Sequence, residues 1–336
     1  MKLRKPALFL AAAVLLGLIL ELLLRLHPAV QFRLAEKQLH CPASFYFRLC
    51  PDQHVLFQHP SGFSFTVTTN KKGERITSDP ATANGDRNAP PEIWILGDSI
   101  AMGYGVSDEA TFPYLLQSRL RKKGSNISVP PVGLQDNASE QSIRVANLGV
   151  DSMGTVAMAD LLNNRIGHPG HVFWPFSPSD FIDDPAEMAI QASPWKQWMF
   201  QVRAALTKRS AIFAYLKQLR ESGRRDAYLA GSVVGRDHPT FQGILNLDKL
   251  VKSRGSRLCV VLYQDVQRGS NKPEKSNAVR DDVAGFLHEN SICTIDARAA
   301  FLSYPGHDLY LPNDGHPAEA AQRLIAEAII NFLVKR

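Results

Sequence analysis

Apolar and polar positions follow two alternating patterns over most of this chain. Five short apolar runs have the composition of buried strands, and stretches with apolar residues every three or four positions separate them. The predicted strands cover residues 92–96, 144–148, 171–176, 257–263 and 291–295. The predicted helices cover residues 111–122, 155–166, 241–254, 279–289 and 318–334, with Pro317 in the first position of the last one.

Strands that alternate with helices five times predict parallel pairing through right-handed crossovers. The sequence therefore predicts the α/β class, with a three-layer α/β/α sandwich around a five-stranded parallel sheet. Pro175 lies in the third apolar run, and proline cannot donate a hydrogen bond to a neighbouring strand. We therefore do not expect the third strand to be central at that point.

The first 26 residues have a pattern of their own. A basic start is followed by an unbroken apolar run from Ala7 to Leu20, which continues beyond Glu21 and reaches about 20 residues, the length that spans a bilayer. Residues 24–28 do not offer the small side chains of a signal-peptidase cleavage site. We interpret residues 1–26 as a signal anchor, with one transmembrane helix in the membrane over residues 7–26.

The basic residues of this segment would stay inside, which places the rest of the protein outside the cytoplasm, in the periplasm or on the cell surface. A cleaved signal peptide is the alternative, and it would export the protein as well.

Three regions follow from these patterns. After residues 1–26, residues 27–91 are predicted to be a linker with a small β element, because residues 27–61 are mixed in composition and residues 62–69 alternate like a strand. Residues 92–336 form the α/β domain. An insertion at residues 184–240 interrupts it, and its aromatic residues form either an acyl pocket or, as is more usual, the core of a helical excursion.

Composition and charge argue against a nucleic-acid-binding protein. The chain has 336 residues, of which 45% are hydrophobic and 21% charged, which is ordinary for a globular protein. The formal net charge is +6, and half of it comes from the first 29 residues, so the remainder is too mildly basic to indicate a nucleic-acid partner.

Four cysteines are present. Cys41 and Cys50 are close together in a chain predicted to be exported, so a disulfide between them is plausible. Cys259 and Cys293 lie in apolar strand-like runs and are predicted to be buried free thiols. Neither a CxxC pair nor a Cys/His cluster is present, so we predict no metal and no cofactor.

The first strand runs into Gly97-Asp98-Ser99, and such a turn lifts a serine hydroxyl clear of a sheet. The alternative is a plain strand-to-helix turn. Gly149 and Ser179-Asp180 also follow predicted strands. Because ligand sites in parallel sheets lie beyond the carboxyl ends of the strands, these residues should converge on one edge.

A serine needs a base to become a nucleophile near neutral pH, and His316 in Asp314-Gly315-His316-Pro317 can supply one. Asp314 would then orient the imidazole and stabilise its charged form. Taken alone, the same residues also fit a helix-start histidine with Asp314 as an N-terminal cap.

In combination these motifs resemble the SGNH/GDSL hydrolase family over residues 62–334. The resemblance rests on Gly97-Asp98-Ser99 with the glycines at 103 and 105, on Asn147-Leu148-Gly149, and on residues 314–317. Residues 70–75, Asn-Lys-Lys-Gly-Glu-Arg, are typical of bacterial membrane-anchored members. The fold implied is the flavodoxin-like sandwich of SGNH hydrolases.

The activity implied is that of a serine esterase or an O-acyltransferase. Ser99 would attack an acyl carbonyl, His316 would act as base and then acid, and the backbone N–H groups of Ser99 and Gly149 would stabilise the oxyanion. The expected substrate is an acyl ester of a carbohydrate or a lipid. An O-acyl group on a cell-envelope or exported polysaccharide is favoured over a lipid or lysophospholipid ester. A degenerate member that binds a glycan or an envelope partner without turnover is the alternative from another class.

Two departures from the family pattern concern the site. The family places an asparagine where this chain has Ser179, so we expect the Ser179 hydroxyl to be the third oxyanion donor. Many members also place the acid three residues before the histidine, where this chain has Asn313. Members similar to bacterial polysaccharide O-acetyltransferases use Asp-x-His, and we therefore assign Asp314.

Overall fold

The chain begins with two helices and four short strands. The computed structural model describes residues 4–78, 92–122, 143–222, 235–264, 273–305, 308–312 and 314–334. The first elements are α1 (Arg4–Arg25), α2 (Pro28–Leu39), β1 (His40–Pro42), β2 (Phe47–Leu49), β3 (His54–Gln58) and β4 (Ser64–Thr68). The pairs β1–β2 and β3–β4 are antiparallel hairpins.

Helix α1 is long and apolar enough to cross a membrane. Its window Leu8–Arg25 has a mean hydropathy of 2.4, and none of that window is buried against the rest of the protein. A signal sequence near an N-terminus has the same properties, so the helix fits both interpretations of residues 1–26.

The remaining elements alternate between strands and helices. They are β5 (Glu92–Ile95), α3 (Ser99–Met102), α4 (Phe112–Lys122), β6 (Arg144–Asn147), α5 (Thr155–Asn163), β7 (Pro169–Pro175), α6 (Asp180–Gln191), α7 (Pro194–Arg209), α8 (Ala211–Ser222), α9 (Pro239–Ser253), β8 (Arg257–Leu262), α10 (Pro273–Glu289), β9 (Cys293–Asp296), α11 (Arg298–Leu302) and α12 (Glu319–Val334). The last helix begins at Glu319, so Pro317 precedes it instead of occupying its first position as predicted.

Strands β5 to β9 form one parallel sheet in the order β6-β5-β7-β8-β9. The predicted five-stranded parallel sheet is confirmed. The first strand of the domain lies between the second and the third, so the loops after β5 and β7 leave the sheet next to each other. A crevice at such a reversal of strand order is where α/β sheets place their ligands.

Strand β7 is the middle strand of the sheet, but at Pro175 it is paired with β8 alone, so the strand is not central at that point, as expected. Pro175 is its last residue and is aligned with Val261 of β8. Strand β5 has already ended at Ile95, whose partner is Phe173. The backbone nitrogen of Pro175, which carries no hydrogen, therefore points beyond the end of β5, where no hydrogen bond between strands is required.

Both faces of the sheet are covered, which gives the three predicted layers. Residues of β5 alternate, with Ile93 and Ile95 packing on the side of α4 and α12, and Trp94 and Leu96 packing on the side of α5, α9 and α10. Successive residues of a strand point to opposite faces of the sheet. Because helices cover both faces here, the residues on both must be apolar.

Residues 28–68 are part of the folded body rather than an extended connection. Phe32, Leu39, Phe57 and Phe65 are buried in the same core cluster as Trp94 of the sheet. The description of residues 27–61 as a linker therefore needs correction, because their apolar residues pack on the α/β domain. Residues 79–91 lie outside the described residues.

All four cysteines are in disulfides. The plausible Cys41–Cys50 bond is present, and it joins β1 to the residue after β2. The prediction of free thiols at Cys259 and Cys293 is wrong: the register of β8 and β9 places them opposite each other, and they are bonded.

The insertion at 184–240 is helical over its described part. Helices α6, α7 and α8 occupy residues 180–222, and residues 223–234 lie outside the described residues.

Candidate active site

Three side chains from distant parts of the chain form a hydrogen-bonded series. The Nε2 atom of His316 lies 2.9 Å from the Oγ of Ser99, and its Nδ1 contacts Oδ1 of Asp314. Ser99 is the first residue of α3 and is separated from β5 by residues 96–98, whereas Asp314 and His316 lie on the segment before α12. The nucleophile, base and acid proposed from the sequence are therefore within contact of one another.

The turn at Ser99 is held by its neighbour. Asp98 caps the N-terminus of α3, because its Oδ1 accepts from the N–H of Ile100 at 2.9 Å. The helix ends after one turn at Gly103, which has a left-handed φ of 83°. The serine thus stands on a single short turn at the carboxyl end of β5.

The Asp-Gly-His segment depends on its glycine. Gly315 has a φ of +87°, which side chains with a Cβ rarely adopt, and this lets Asp314 and His316 face each other two residues apart. Leu311 N–H donates to the His316 carbonyl at 2.8 Å and closes the segment. Asn313 lies outside the described residues.

The pKa values of the pair move in opposite directions. Burial lowers the pKa of His316, but the hydrogen bond to Asp314 and the charge of that carboxylate outweigh it, so the pKa is raised above its usual value. Burial raises the pKa of Asp314, but the hydrogen bond from His316 and its charge outweigh it, so the pKa is lowered. The geometry therefore favours an ionised Asp314 beside an imidazole that can hold a proton.

Gly149 lies against the nucleophile helix. A Cβ at this position would be 2.2 Å from the backbone nitrogen of Met102 and 2.5 Å from the carbonyl carbon of Ala101, so only glycine fits. Its N–H donates to Oδ1 of Asn147 at 3.0 Å. The donor expected to face an oxyanion is thus bonded to a side chain of its own loop.

Ser179 lies at the same edge of the sheet, as the sequence predicted, but its hydroxyl has another partner. The Oγ of Ser179 donates to Oδ2 of Asp98 at 2.8 Å, and the Oγ of Ser177 lies 2.7 Å from it. Burial raises the pKa of Asp98, while the bonds from Ile100 and Ser179 oppose that rise. The side chain of Ser179 therefore belongs to a serine–serine–aspartate series next to Ser99.

The turn that carries Ser179 is fixed by the next residue. Oδ2 of Asp180 accepts from the N–H of Ser177 at 3.1 Å. Asp180 is fully buried, and burial together with the nearby carboxylates of Asp98 and Asp184 raises its pKa well above the usual value. The environment of Asp180 therefore disfavours a negative charge on the side chain that fixes this turn.

Arg75 connects the N-terminal region to the loop after the nucleophile. Its guanidinium is 1% exposed and uses all five of its N–H groups. Nε donates to Asp108 Oδ1 at 2.8 Å, and the two terminal nitrogens donate to four backbone carbonyls, those of Thr66, Met102, Gly103 and Val106. The segment that follows Ser99 therefore has its conformation set by a residue outside the α/β domain.

A cavity of about 130 Å³ opens beside the imidazole of His316. Helix α2, the β3–β4 turn, the loops after α3 and β6, and the Asp-Gly-His segment each contribute to its wall. The lining residues are Ala29, Phe32, Arg33, Glu36, His59, Pro60, Tyr104, Asp151, Asp314 and His316. Most of these side chains are polar or charged, so the cavity suits a polar ligand more than a long hydrocarbon chain.

Sequence reasoning missed several residues of this site. His59 approaches the acid from the side opposite His316, with Nε2 3.9 Å from Oδ2 of Asp314. Tyr104 covers the His316 ring at a centroid distance of 4.4 Å. Tyr104 lies inside the glycine motif and could have been found there, but nothing in the stretch around His59 and α2 indicated a site. Over the described residues, no group of three or more His, Cys, Asp or Glu side chains is placed to hold a metal ion.

Comparison with known proteins gives matches among solved structures. No protein-family model and no curated protein matches the chain. A lipolytic protein of the G-D-S-L family from Veillonella parvula is 14% identical, with a TM-score of 0.43, over 72% of this chain and 97% of its own. The esterase EstA from a Pseudoalteromonas species is 14% identical, with a TM-score of 0.42, over 73% and 98% of the two chains. The acetyl xylan esterase AlAXEase is 13% identical, with a TM-score of 0.42, over 72% and 98%.

Proposed function

We propose that this protein is a serine ester hydrolase of the SGNH/GDSL type. The observation that carries the proposal is the series from Ser99 through His316 to Asp314, in which each side chain touches the next. A serine, an imidazole and a carboxylate in this order form the constellation that activates a hydroxyl for attack on an acyl carbon.

The reaction follows from the contacts. Nε2 of His316 takes the proton of the Ser99 hydroxyl as Oγ attacks the carbonyl carbon of the ester, and Asp314 stabilises the imidazolium that forms. The protonated histidine then delivers that proton to the departing alkoxide, which leaves an acyl group on Ser99. Attack by water on the acyl-enzyme releases a carboxylic acid, and attack by a sugar hydroxyl instead completes an O-acyl transfer.

For the oxyanion we propose the N–H groups of Ser99 and Gly149 together with the hydroxyl of Ser179. All three residues lie at the edge of the sheet where Ser99 stands. Two of these donors have internal partners, so the hydrogen bonds from Gly149 to Asn147 and from Ser179 to Asp98 must be exchanged for bonds to substrate. Because each donor must first give up an existing hydrogen bond, its new bond to the oxyanion stabilises the transition state by less than a free donor would.

The polar cavity supports an O-acyl ester of a carbohydrate as substrate. Its small volume and its charged residues, including Arg33, Glu36 and Asp151, suit a short acyl group on a hydroxylated acceptor. The apolar helix α1 and the two disulfides support a site of action outside the cytoplasm, on the cell envelope or an exported polysaccharide. A lipid esterase would need a longer apolar channel for its acyl chain.

Labelling with a serine-reactive fluorophosphonate tests the proposal on the full chain in detergent. We expect one labelled serine, Ser99, with labelling lost in Ser99→Ala and retained in Ser177→Ala. Hydrolysis of acetyl, butyryl and palmitoyl esters by the same preparations then ranks the acyl group, and we expect acetyl to be fastest. Labelling that persists in Ser99→Ala would reject Ser99 as the nucleophile.

A binding protein without turnover is the second candidate, and one observation favours it. Gly149 and Ser179 direct their donors to Asn147 and Asp98 rather than to the space beside Ser99. In that case the protein would bind acylated glycans while fluorophosphonate labelling and ester hydrolysis both remained at background.

A further inference from the structure

The insertion helices carry large apolar side chains that are about half exposed. On α7, Trp195 and Trp198 are 65% and 53% exposed, and their rings stack at 4.8 Å. Leu206, on the same side of the helix by its spacing, is 41% exposed. Several large apolar side chains exposed on one side of a helix indicate an interaction surface rather than a surface in contact with water.

Helix α8 continues this pattern. Phe213, Leu216 and Leu219 follow one another at intervals of three and are 41%, 56% and 56% exposed. The opposite side of the same helix, at Ala211 and Ala214, is buried against the N-terminal helices. We call the exposed rows on α7 and α8 together the insertion face.

The insertion face is attached directly to the apolar N-terminal helix. The carboxylate of Glu21 in α1 accepts from the N–H groups of Ala211 and Ile212, at 2.7 and 3.1 Å, and from the hydroxyl of Ser210 at 3.0 Å. Arg25 donates to the carbonyl of Arg209 at 2.8 Å. The end of α1 therefore caps the junction between α7 and α8, and this explains why an acidic residue is tolerated within an apolar run.

The basic residues of α7 indicate what kind of partner the insertion face binds. The helix contains four basic residues and no acidic one, and all four basic side chains are exposed. These are Lys196, Arg203, Lys208 and Arg209. Two tryptophans and a leucine on one side of the helix, with lysine and arginine around them, are typical of helices that lie in the plane of a bilayer surface.

We propose that α7 and α8 are an interfacial membrane-binding element, and that the insertion face lies in the headgroup region of a bilayer containing anionic lipid. Helix α1 enters the same bilayer, and the Glu21 cap holds its end against the α7–α8 junction. The body of the protein is then attached to the membrane at two places, one crossing and one lying on the surface.

Tryptophan fluorescence tests this because of where the four tryptophans lie. Trp94 and Trp174 are completely buried, and Trp195 and Trp198 are on the insertion face. The full chain is reconstituted into vesicles of phosphatidylcholine and phosphatidylglycerol, with either ordinary or brominated acyl chains. Because two of the four tryptophans are exposed to lipid in this arrangement, we expect bromine to lower the emission by up to about half.

Two comparisons make the result decisive. Trp195→Phe/Trp198→Phe keeps the face apolar but leaves only buried tryptophans, so the loss of emission should disappear. Bromine placed near the headgroup should quench more strongly than bromine near the bilayer centre, because an interfacial helix penetrates only the upper part of the leaflet.

Equal emission in ordinary and brominated vesicles would overturn the proposal, as would quenching that survives in the double phenylalanine variant. Stronger quenching by deep bromine would instead make α7 or α8 a second crossing. If lipid has no effect but Trp195→Asp/Trp198→Asp converts a dimer in detergent to a monomer, the insertion face is an interface between two copies of the chain.

Discussion

Ser179 donates its hydroxyl proton to Asp98, the residue directly before Ser99, at 2.8 Å. The side chain expected to stabilise the oxyanion is therefore bonded in the free protein to the carboxylate that caps the nucleophile helix. Ser179 can contribute to turnover only if its hydroxyl leaves Asp98 and donates to the substrate oxygen as negative charge develops there.

The first prediction follows from that exchange. We expect Ser179→Ala to lower kcat with little change in KM, by up to about 100-fold if the donor acts in the transition state. Ser179→Asn should hold or raise activity. Ser177→Ala is the matched control, because it removes the neighbouring hydroxyl and leaves the Ser179–Asp98 bond in place. A wild-type kcat with a lowered Tm in Ser179→Ala would mean that Ser179 supports only the turn.

The second prediction concerns the acid. Asp314→Ala should lower kcat by about 10⁴-fold, because the imidazole loses the group that orients it and stabilises its charged form. Asn313→Ala should have a far smaller effect. Steady-state kinetics with one ester on both variants distinguishes them, and equal losses would contradict the assignment of Asp314.

The third prediction concerns pH. Only neutral His316 can accept the serine proton, so kcat/KM should increase with pH as the imidazole deprotonates. Because the pKa of His316 is raised in the folded protein, the midpoint of this increase should lie above 6.5, its ordinary value. In Asp314→Asn the hydrogen bond to a carboxylate is lost and burial dominates, so the residual activity should have its midpoint at lower pH. Rates measured from about pH 5 to 9 decide this, and an unchanged midpoint would show that Asp314 does not set the pKa.

The fourth prediction concerns Arg75. Arg75→Met leaves the buried Asp108 carboxylate and four carbonyls without their donor, which should cost about 3–5 kcal/mol in the free energy of unfolding. Arg121→Met is the control, since Arg121 is exposed on α4 and its loss should change stability by less than about 0.5 kcal/mol. Denaturant titration of both variants measures the difference, and similar losses would show that the buried network is not stabilising.

The fifth prediction concerns the disulfides. The Cys259–Cys293 bond spans 34 residues and the Cys41–Cys50 bond spans 9. Loop-closure entropy predicts that replacing the first pair by alanine costs about 4 kcal/mol and replacing the second about 2.6 kcal/mol. Denatured, unreduced protein should contain no reactive thiol. Four titratable thiols in that preparation would contradict both bonds.

The fold was predictable because the five strands are buried on both faces. Such strands are apolar throughout, so they can be recognised in the sequence without knowing which residues they contact. The motifs that contain Ser99, Asp314 and His316 were also recognisable, since each consists of residues that are adjacent in the sequence. The direction of the Ser179 hydroxyl was not, because it depends on Asp98, 81 residues away.

The cysteine error has a similar cause. Cys259 and Cys293 lie on strands separated by a helix, and their pairing depends on a register between β8 and β9 that neither apolar run specifies. Residues 27–61 form several short elements, α2 and β1 to β3, and the mixed composition of the stretch obscured their packing on the α/β domain.

The connection between α1 and α2 has one further consequence. Helix α1 ends at Arg25, α2 begins at Pro28, and Ala29 and Phe32 already border the cavity beside His316. At 1.5 Å per helical residue, only about 10 Å of chain separates Arg25 from that cavity wall. With α1 in a membrane, the cavity would lie close to the bilayer surface. Because Val30, Phe32 and Leu39 hold α2 in the core, residues inserted after Arg25 would separate α1 from the folded body and break the contacts of Glu21 with the α7–α8 junction.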